Sequence, residues 1–316
     1  MLQKSWHDSA GDLFLHLRDM QQNRVKGLIS IIFVMVVWGS SFTVTKLGVA
    51  HIPPFAFAFL RFVIASLFLL PVFLLHRKKY PEKHAIAIPW LTVLVMALTG
   101  VTFFYVFFNV SLLNTSASQG ALIEGFLPVC IAVLAAIFLK EKLGRVQVAG
   151  ILLSVAGVAM IGFLADAEVS HAPHPLKGNF YMMLAMVAWA VYTILSKKVT
   201  HIDSLIITSW VSFTGTLFLL PIACWENRHT GFPPVSPGGW VAILYLGAIA
   251  SALCYFLYNK SLETLPASQV GNFINLDPVI GLIIALLFLS EHINGLQIAG
   301  GGLVVVGIYL STKRAG

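Results

Sequence analysis

Long apolar runs separated by short polar connectors dominate the chain. Each run is 18 to 24 residues long, and a helix of that length crosses a hydrocarbon core of about 30 Å. The pattern predicts ten transmembrane helices, at residues 28–49, 54–75, 87–109, 116–139, 146–164, 179–197, 204–224, 239–259, 268–289 and 295–312. We therefore expect an all-α polytopic membrane protein.

The segments outside these runs are polar. Residues 1–26 lack the apolar core and cleavage site of a signal peptide, so we expect a cytoplasmic tail, either unstructured, which we prefer, or a short interfacial helix. Residues 165–178 are expected to form an extracytoplasmic loop, and residues 313–316 a cytoplasmic C-terminus. Glu141 and Glu291 are expected to cap the helices that follow them.

Composition and charge agree with a membrane protein. Hydrophobic residues make up 58% of the chain and charged residues 10%, with a mean hydropathy of +0.87, whereas soluble domains carry about a quarter charged residues. If the N-terminus is inside, sixteen of the twenty Lys and Arg residues lie in cytoplasmic segments and two on the opposite side. This bias predicts that both termini are cytoplasmic and explains the net charge of +7 without nucleic acid.

The chain repeats itself at an offset of 150 residues. YVFFNVSLLNTSASQ (105–119) aligns with YFLYNKSLETLPASQ (255–269), and FLKEKLGRVQVAG (138–150) with FLSEHINGLQIAG (288–300). WGSSFTVTK (38–46) aligns with WAVYTILSK (189–197) after one residue of slippage. The predicted repeats, 27–164 and 179–312, each hold five spans, so the second half enters the membrane in the opposite orientation. Inverted repeats are typical of alternating-access transporters.

These paired motifs resemble the EamA family of the drug/metabolite transporter superfamily, over about residues 27–312. The resemblance implies ten helices in two inverted five-helix halves, a central cavity and export of small metabolites, often amino acids. It leaves the substrate open. No Walker A, HExxH, GxSxG or CxxC motif is present, so we expect neither an enzyme nor a cofactor or metal site.

Two carboxylates lie deep in apolar spans. Asp277, directly before Pro278, is close to the middle of the ninth span, and Glu124 is about as deep in the fourth. At the offset of 150, Asp277 aligns with Leu127, which is three residues from Glu124, so both acids belong to one helical stripe. We expect them to face a central cavity and to bind a substrate ammonium or a proton. The alternative is a structural ion pair with Arg61 or Lys46.

Paired aromatic, amide and proline residues complete the candidate site. A substrate-lining role is one interpretation and helix packing is the other; the residues are Trp38, Trp189, Tyr105, Tyr255, Asn109 and Asn259. Pro128 and Pro278 would either act in gating or form fixed kinks.

Other residues are expected to be structural. Lys46 and Lys197 are interpreted as anchors that reach the membrane interface. Arg61 is too deep in its span for that, so we expect a carboxylate or backbone partner in preference to substrate. Gly150 and Gly157, like Gly300 and Gly307, provide small faces for close helix contact.

The predicted function is a secondary transporter in the inner membrane that exports a small metabolite, such as an amino acid. The expected partners are the solute and the lipid bilayer, with proton coupling and oligomeric state left open. The alternatives are a carrier of drug-like compounds, nucleotide sugars or sugar phosphates, or a channel. An anion carrier would need several cations at its cavity, and Lys46 and Arg61 are the candidates.

Overall fold

The computed structural model describes residues 2–138, 144–160, 173–229, 231–232, 234–265, 270, 273–274, 276–289 and 294–311, with side chains from residue 25 onward except at 158, 278, 308 and 311. The predictions for Glu141, Glu291, most of the 165–178 loop and the C-terminal residues 313–316 lie outside this part of the chain. The described residues form helices joined by turns, with no β-strand among them.

Fourteen α-helices and two π-helical segments make up the described fold. The first half contains α1 (Leu2–Val49), α2 (Pro54–Lys79), α3 (Pro81–His84), α4 (Trp90–Ala97), π1 (Leu98–Phe103), α5 (Phe104–Asn114), α6 (Ala117–Glu124), α7 (Leu127–Phe138) and α8 (Arg145–Ala159). The second half contains α9 (Pro175–Lys198), α10 (Ser204–Glu226), α11 (Pro237–Leu244), π2 (Tyr245–Leu253), α12 (Cys254–Thr264), α13 (Leu276–Phe288) and α14 (Gly295–Ser311).

Seven of the described helical stretches are long and apolar enough to cross a membrane: Val25–Val49, Pro54–Lys79, Trp90–Asn114, Ala117–Phe138, Pro175–Lys198, Ser204–Glu226 and Pro237–Thr264. Three shorter apolar helices, Arg145–Gly157, Val279–Phe288 and Gly295–Gly307, fall where the fifth, ninth and tenth spans are predicted. The fold is therefore that of an all-helical, multi-pass membrane protein, and the total of ten spans stays a prediction.

Helix α1 begins at Leu2, well before the first apolar span. The preferred interpretation of residues 1–26 as an unstructured tail is wrong in this respect. Residues 2–26 contain a single glycine and no proline, so nothing in this segment ends a helix that the apolar span already nucleates.

Residues at the same position of the two halves contact each other. The helix pairs α2–α10 and α8–α14 pack side by side. Four residue pairs related by the repeat touch: Ser66 with Thr216 (Oγ to Oγ1, 3.0 Å), Ser154 with Val304 (Oγ to O, 3.3 Å), Tyr105 with Tyr255 (OH to OH, 3.4 Å) and Trp38 with Trp189 (ring centres 5.2 Å apart). Equivalent residues of two similar halves come into contact at a two-fold axis, so these pairs trace a pseudo-two-fold axis.

Glycines allow the closest of these helix contacts. A Cβ atom added to Gly157 of α8 would lie 2.6 Å from the carbonyl oxygen of Gly300, and one added to Gly307 of α14 would lie 2.6 Å from that of Gly150. The prediction of small contact faces on these helices is confirmed. Because the two contacts are reciprocal, neither helix can take a larger side chain here without moving the other.

We expect Gly157→Val to lower the stability of the protein by about 1–3 kcal/mol, because its methyl groups would overlap the α14 backbone. Thermal unfolding in detergent measures the change. Gly302→Val is the matched control, since an added Cβ at Gly302 meets no atom within 4 Å. Equal loss of stability in both variants would contradict the packing argument.

Candidate substrate cavity

A small cavity lies between the two halves of the chain. Its volume is about 30 Å³, enough for a water molecule or two but not for a metabolite. Helices from both halves contribute to its wall, which consists of Trp38, Ser41, Phe42, Arg61, Phe104, Tyr105, Phe108, Glu124, Leu127, Trp189, Ile274 and Asp277. As bounded by the described residues, the cavity is too small for a metabolite.

The two deep carboxylates meet in this cavity. Glu124 is 6% exposed and Asp277 is 1% exposed, and both line the same cavity. Neither forms an ion pair within 4 Å in the described part of the chain, and Oε2 of Glu124 and Oδ1 of Asp277 have no hydrogen-bond partner. The alternative that they form structural ion pairs with Arg61 or Lys46 is wrong for the described state.

The position of Glu124 follows from a break in the fourth span. Helix α6 ends at Glu124, and α7 begins at Leu127 after a turn at Gly125 and Phe126. Pro128 is the second residue of α7, where its missing amide proton costs no helical hydrogen bond. Pro278 likewise lies in the first turn of α13. Both prolines therefore lie in first turns of helices that carry or adjoin an acid.

Arg61 is the third charged group at the cavity. Its side chain is 2% exposed; Nε donates a hydrogen bond to Oγ of Ser251 at 2.7 Å, and the guanidinium carbon lies 4.3 Å from the ring centre of Tyr105. The expectation of a carboxylate or backbone-carbonyl partner is wrong among the described residues. A hydroxyl and a π face hold the guanidinium, and such neutral partners orient a charge without neutralising it.

Aromatic side chains are held in place by backbone groups that the π-helical segments expose. Trp38 donates from Nε1 to the carbonyl of Ala250 in π2 at 2.8 Å, and Tyr255 donates to the carbonyl of Gly100 in π1 at 2.6 Å. Such π-helical segments are rare and are frequent at functional sites. The repeat places π1 and π2 at equivalent positions, but no residue pattern in the sequence predicted them.

The predicted site residues divide into two groups. Trp38, Tyr105, Glu124, Trp189 and Asp277 lie at the cavity wall. The other three, Tyr255, Asn109 and Asn259, are buried behind it.

The two asparagines have packing partners. Asn109 donates to the carbonyl of Pro54 at 2.8 Å, and Asn259 donates to Tyr192 and Thr208, both at 2.9 Å. These contacts join neighbouring helices, as the packing alternative describes.

Sequence reasoning missed several cavity residues that lie one helical turn from those it found. Ser41 and Phe42 follow Trp38 by three and four residues, Leu127 follows Glu124 by three, and Ile274 precedes Asp277 by three. Residues three and four apart share a helix face. Helical periodicity applied outward from Trp38 is the signal that would have identified Ser41 and Phe42, whereas a turn at Gly125 and Phe126 separates Glu124 from Leu127.

Lys46 and Lys197 cap equivalent helix ends inside the protein. Nζ of Lys46 donates to the carbonyls of Leu112 and Thr115, both at 2.6 Å. Nζ of Lys197 donates to the repeat-related carbonyls of Leu262 (3.0 Å) and Leu265 (3.4 Å). The last carbonyls of a helix lack intrahelical partners and attract a cation, which accounts for these contacts. The interpretation of both lysines as interface anchors stays a prediction.

A titratable cluster lies where α2 ends and α10 begins. Lys83 forms an ion pair with Asp203 (Nζ to Oδ2, 2.8 Å), and Nδ1 of His76 lies 3.0 Å from Nε2 of His84. The His84 ring also packs edge-on against Phe73, 5.0 Å between ring centres. Burial lowers the pKa of His84, and the neighbouring charges of His76 and Arg77 lower it further.

This cluster predicts a pH-dependent stability. Because the folded chain holds His84 neutral, the unfolded chain binds a proton first as the pH falls through about 6.5, and the folded state loses stability below that point. We expect His84→Asn to lose less stability than the unmodified protein between pH 7.5 and 5.5, as measured by thermal unfolding. If the stability of the variant and of the unmodified protein falls by the same amount between pH 7.5 and 5.5, His84 has no part in the pH response.

Buried charges without partners, enclosed by apolar helices, are typical of membrane proteins that handle polar solutes. The fold and this cavity thus define the class as a multi-pass membrane protein with a polar site at its centre. Sequence comparison is more specific. The model of the EamA-like transporter family matches residues 25–163 and again residues 176–313, so the chain belongs to this family.

Curated relatives agree with this assignment. An uncharacterized transporter, YetK, of Bacillus subtilis is 29% identical over 90% of this chain and 86% of its own length. An uncharacterized transporter of Archaeoglobus fulgidus is 30% identical over 89% and 95%. A relative in Salmonella typhimurium, 27% identical over 92% and 95%, carries the name "Probable amino-acid metabolite efflux pump".

One solved crystal structure shares the fold, with a TM-score of 0.63 at 17% identity over 92% of this chain and 96% of the other. The family and its named relatives are transporters, so the chain is a solute transporter and not an enzyme.

Proposed function

We propose that the protein is a ten-helix secondary transporter that exports a small metabolite, such as an amino acid or a related compound, by alternating access. Two copies of the family model and the contacts between equivalent residues support two halves related by an axis in the membrane plane. The distribution of Lys and Arg supports an inner-membrane protein with both termini in the cytoplasm. The His76–Lys83–Asp203 cluster would then lie at the cytoplasmic end.

The observation that carries the proposal is the pair of unpaired, buried carboxyl groups in one cavity between the halves. An ionised carboxylate away from water is costly unless a cation or a proton joins it. Glu124 and Asp277 can therefore bind either a proton or the ammonium group of a solute. If the two occupants exclude each other, proton entry drives solute exit.

The helix break beside Glu124 supplies a route for movement. Helix α7 begins at Leu127 after a turn at Gly125 and Phe126, with Pro128 in its first turn, and Pro278 has the equivalent position in the repeat. A chain break with few intrahelical hydrogen bonds bends more readily than a continuous helix. We propose that Pro128 and Pro278 mark the hinges about which the cavity opens.

The chemistry of the cavity favours some solutes over others. It contains one cation and two carboxylates, and Lys46 is bound to carbonyls rather than to the cavity. Nucleotide sugars and sugar phosphates are therefore poor substrates, because their phosphates would face two acids. The tryptophan wall supports a second candidate class, amphiphilic drug-like cations, through cation–π contact.

Measurement of conductance in planar bilayers distinguishes a carrier from a channel. We expect zero conductance, as for a carrier.

Transport by liposomes with and without a pH gradient tests the proposal. A panel of amino acids and related metabolites is loaded inside, and we expect the gradient to accelerate export of at least one. Asp277→Asn should make export insensitive to the gradient. Glu124→Gln should slow export about tenfold or more, since a hydrogen bond to a charged group contributes about 1.5–3 kcal/mol.

The matched control is Glu263→Gln, which removes a carboxylate outside the cavity that pairs with Lys260 at 2.6 Å. This variant should keep the gradient dependence. If gradient dependence survives in both Asp277→Asn and Glu124→Gln, the assignment of the carboxyl groups is wrong.

A further inference from the structure

Three buried charged side chains face the same cavity, and the described part of the chain neutralises none of them. Arg61 uses only Nε for hydrogen bonding, so its two terminal amino groups have no partner among the described residues. Oε2 of Glu124 and Oδ1 of Asp277 have no hydrogen-bond partner there either. Arg61 lines the same cavity as both acids yet lies more than 4 Å from each of their oxygens.

This arrangement is unfavourable for the protein alone. Buried polar groups almost always have partners, and an unpaired buried charge is among the most costly features of a folded chain. A bound cation could satisfy the two acids but would leave Arg61 unpaired. A bound anion would satisfy Arg61 but would be repelled by the acids whenever they are ionised. While the acids are ionised, only an occupant with both kinds of charge satisfies all three side chains.

Arg61 is also held in a way that suits anion binding. The Ser251 hydroxyl fixes Nε, and the Tyr105 ring lies against the guanidinium plane, so the outer edge of the guanidinium is left for a ligand. That edge matches the two oxygens of a carboxylate in a bidentate contact. The carboxyl groups of Glu124 and Asp277 complement a cation placed beside it.

We propose that the cavity selects zwitterionic solutes, with Arg61 binding the anionic group and the Glu124–Asp277 pair binding the cationic group. The inference rests on the proposed function, because it assumes that the transported solute passes through this cavity. It adds a specificity-determining residue, Arg61, and a requirement for two opposite charges on one small molecule. The cavity must widen to admit such a solute.

Competition between matched analogues tests this requirement. Proteoliposomes loaded with the proteinogenic amino acids first show, by mass spectrometry, which amino acid leaves fastest. Its exchange is then measured at equal pH on both sides against two competitors: the amine that lacks only the carboxylate and the acid that lacks only the ammonium. We expect each competitor to be weaker by about tenfold or more, because a site built for a polar group rejects analogues without it.

Variants of Arg61 assign the anionic contact. Arg61→Gln should slow exchange of the amino acid about tenfold or more while competition by the amine stays unchanged. Arg61→Lys should recover part of the loss, since it restores charge without the bidentate edge. Ser251→Ala keeps the guanidinium of Arg61 but removes the hydroxyl that binds it. We expect this variant to slow exchange of the amino acid less than Arg61→Gln does, again with competition by the amine unchanged. It therefore tests the same contact if Arg61→Gln folds poorly.

Lys260→Gln is the matched control, because it removes an exposed cation outside the cavity, and its selectivity should equal that of the unmodified protein. If the amine or the acid competes as well as the amino acid, or if only solutes with a single charge are exported, the zwitterion inference is overturned and transport itself stands. If no solute moves, the proposed function fails and the inference fails with it.

Discussion

The need to satisfy backbone polar groups without water governs this structure. Inside a bilayer each free carbonyl or amide must find a partner in the protein. Where a helix ends or contains a π-helical segment, side chains from another helix supply that partner. Lys46 binds the last carbonyls of α5, Trp38 binds a carbonyl of π2, and Glu226 accepts hydrogen bonds from the amides of Phe55 (3.0 Å) and Ala56 (2.8 Å) at the start of α2. Irregular backbone is thereby tolerated at the centre of the bundle.

The ionisable groups of the cavity differ from these backbone groups, because they lack a partner in the described chain. This difference points to the cavity as the functional site. Carbonyls exposed by π1 and π2 are satisfied by Tyr255 and Trp38, whereas the carboxyl groups of Glu124 and Asp277 have no partner. Among the buried side-chain oxygens without a partner in the described chain, those of Glu124 and Asp277 are the ones that can carry a charge. Groups kept incomplete at such a cost are expected to have a ligand outside the chain.

The sequence predicted the features that depend on periodicity and failed on those that depend on a partner. Apolar runs and the offset of 150 residues located the helices, and one helical stripe correctly joined Glu124 to Asp277. Nothing local to Leu98–Phe103 distinguishes a π-helix from an α-helix, and the hydroxyl that binds the Gly100 carbonyl belongs to Tyr255 of the other half. The partners of Lys46 and Arg61 were missed for the same reason, since they belong to distant segments.

The two halves differ where the substrate would lie and agree where they hold each other. Across the pseudo-two-fold axis Ser66 meets Thr216, and Gly157 meets Gly300 as Gly307 meets Gly150. Each acid, by contrast, has an apolar counterpart that also lines the cavity: Ile274 for Glu124 and Leu127 for Asp277. Alternating access needs symmetry only in the scaffold, because two equivalent gates must open in turn. A metabolite is not symmetric, so a site that binds it tightly has to break the symmetry of the halves that surround it.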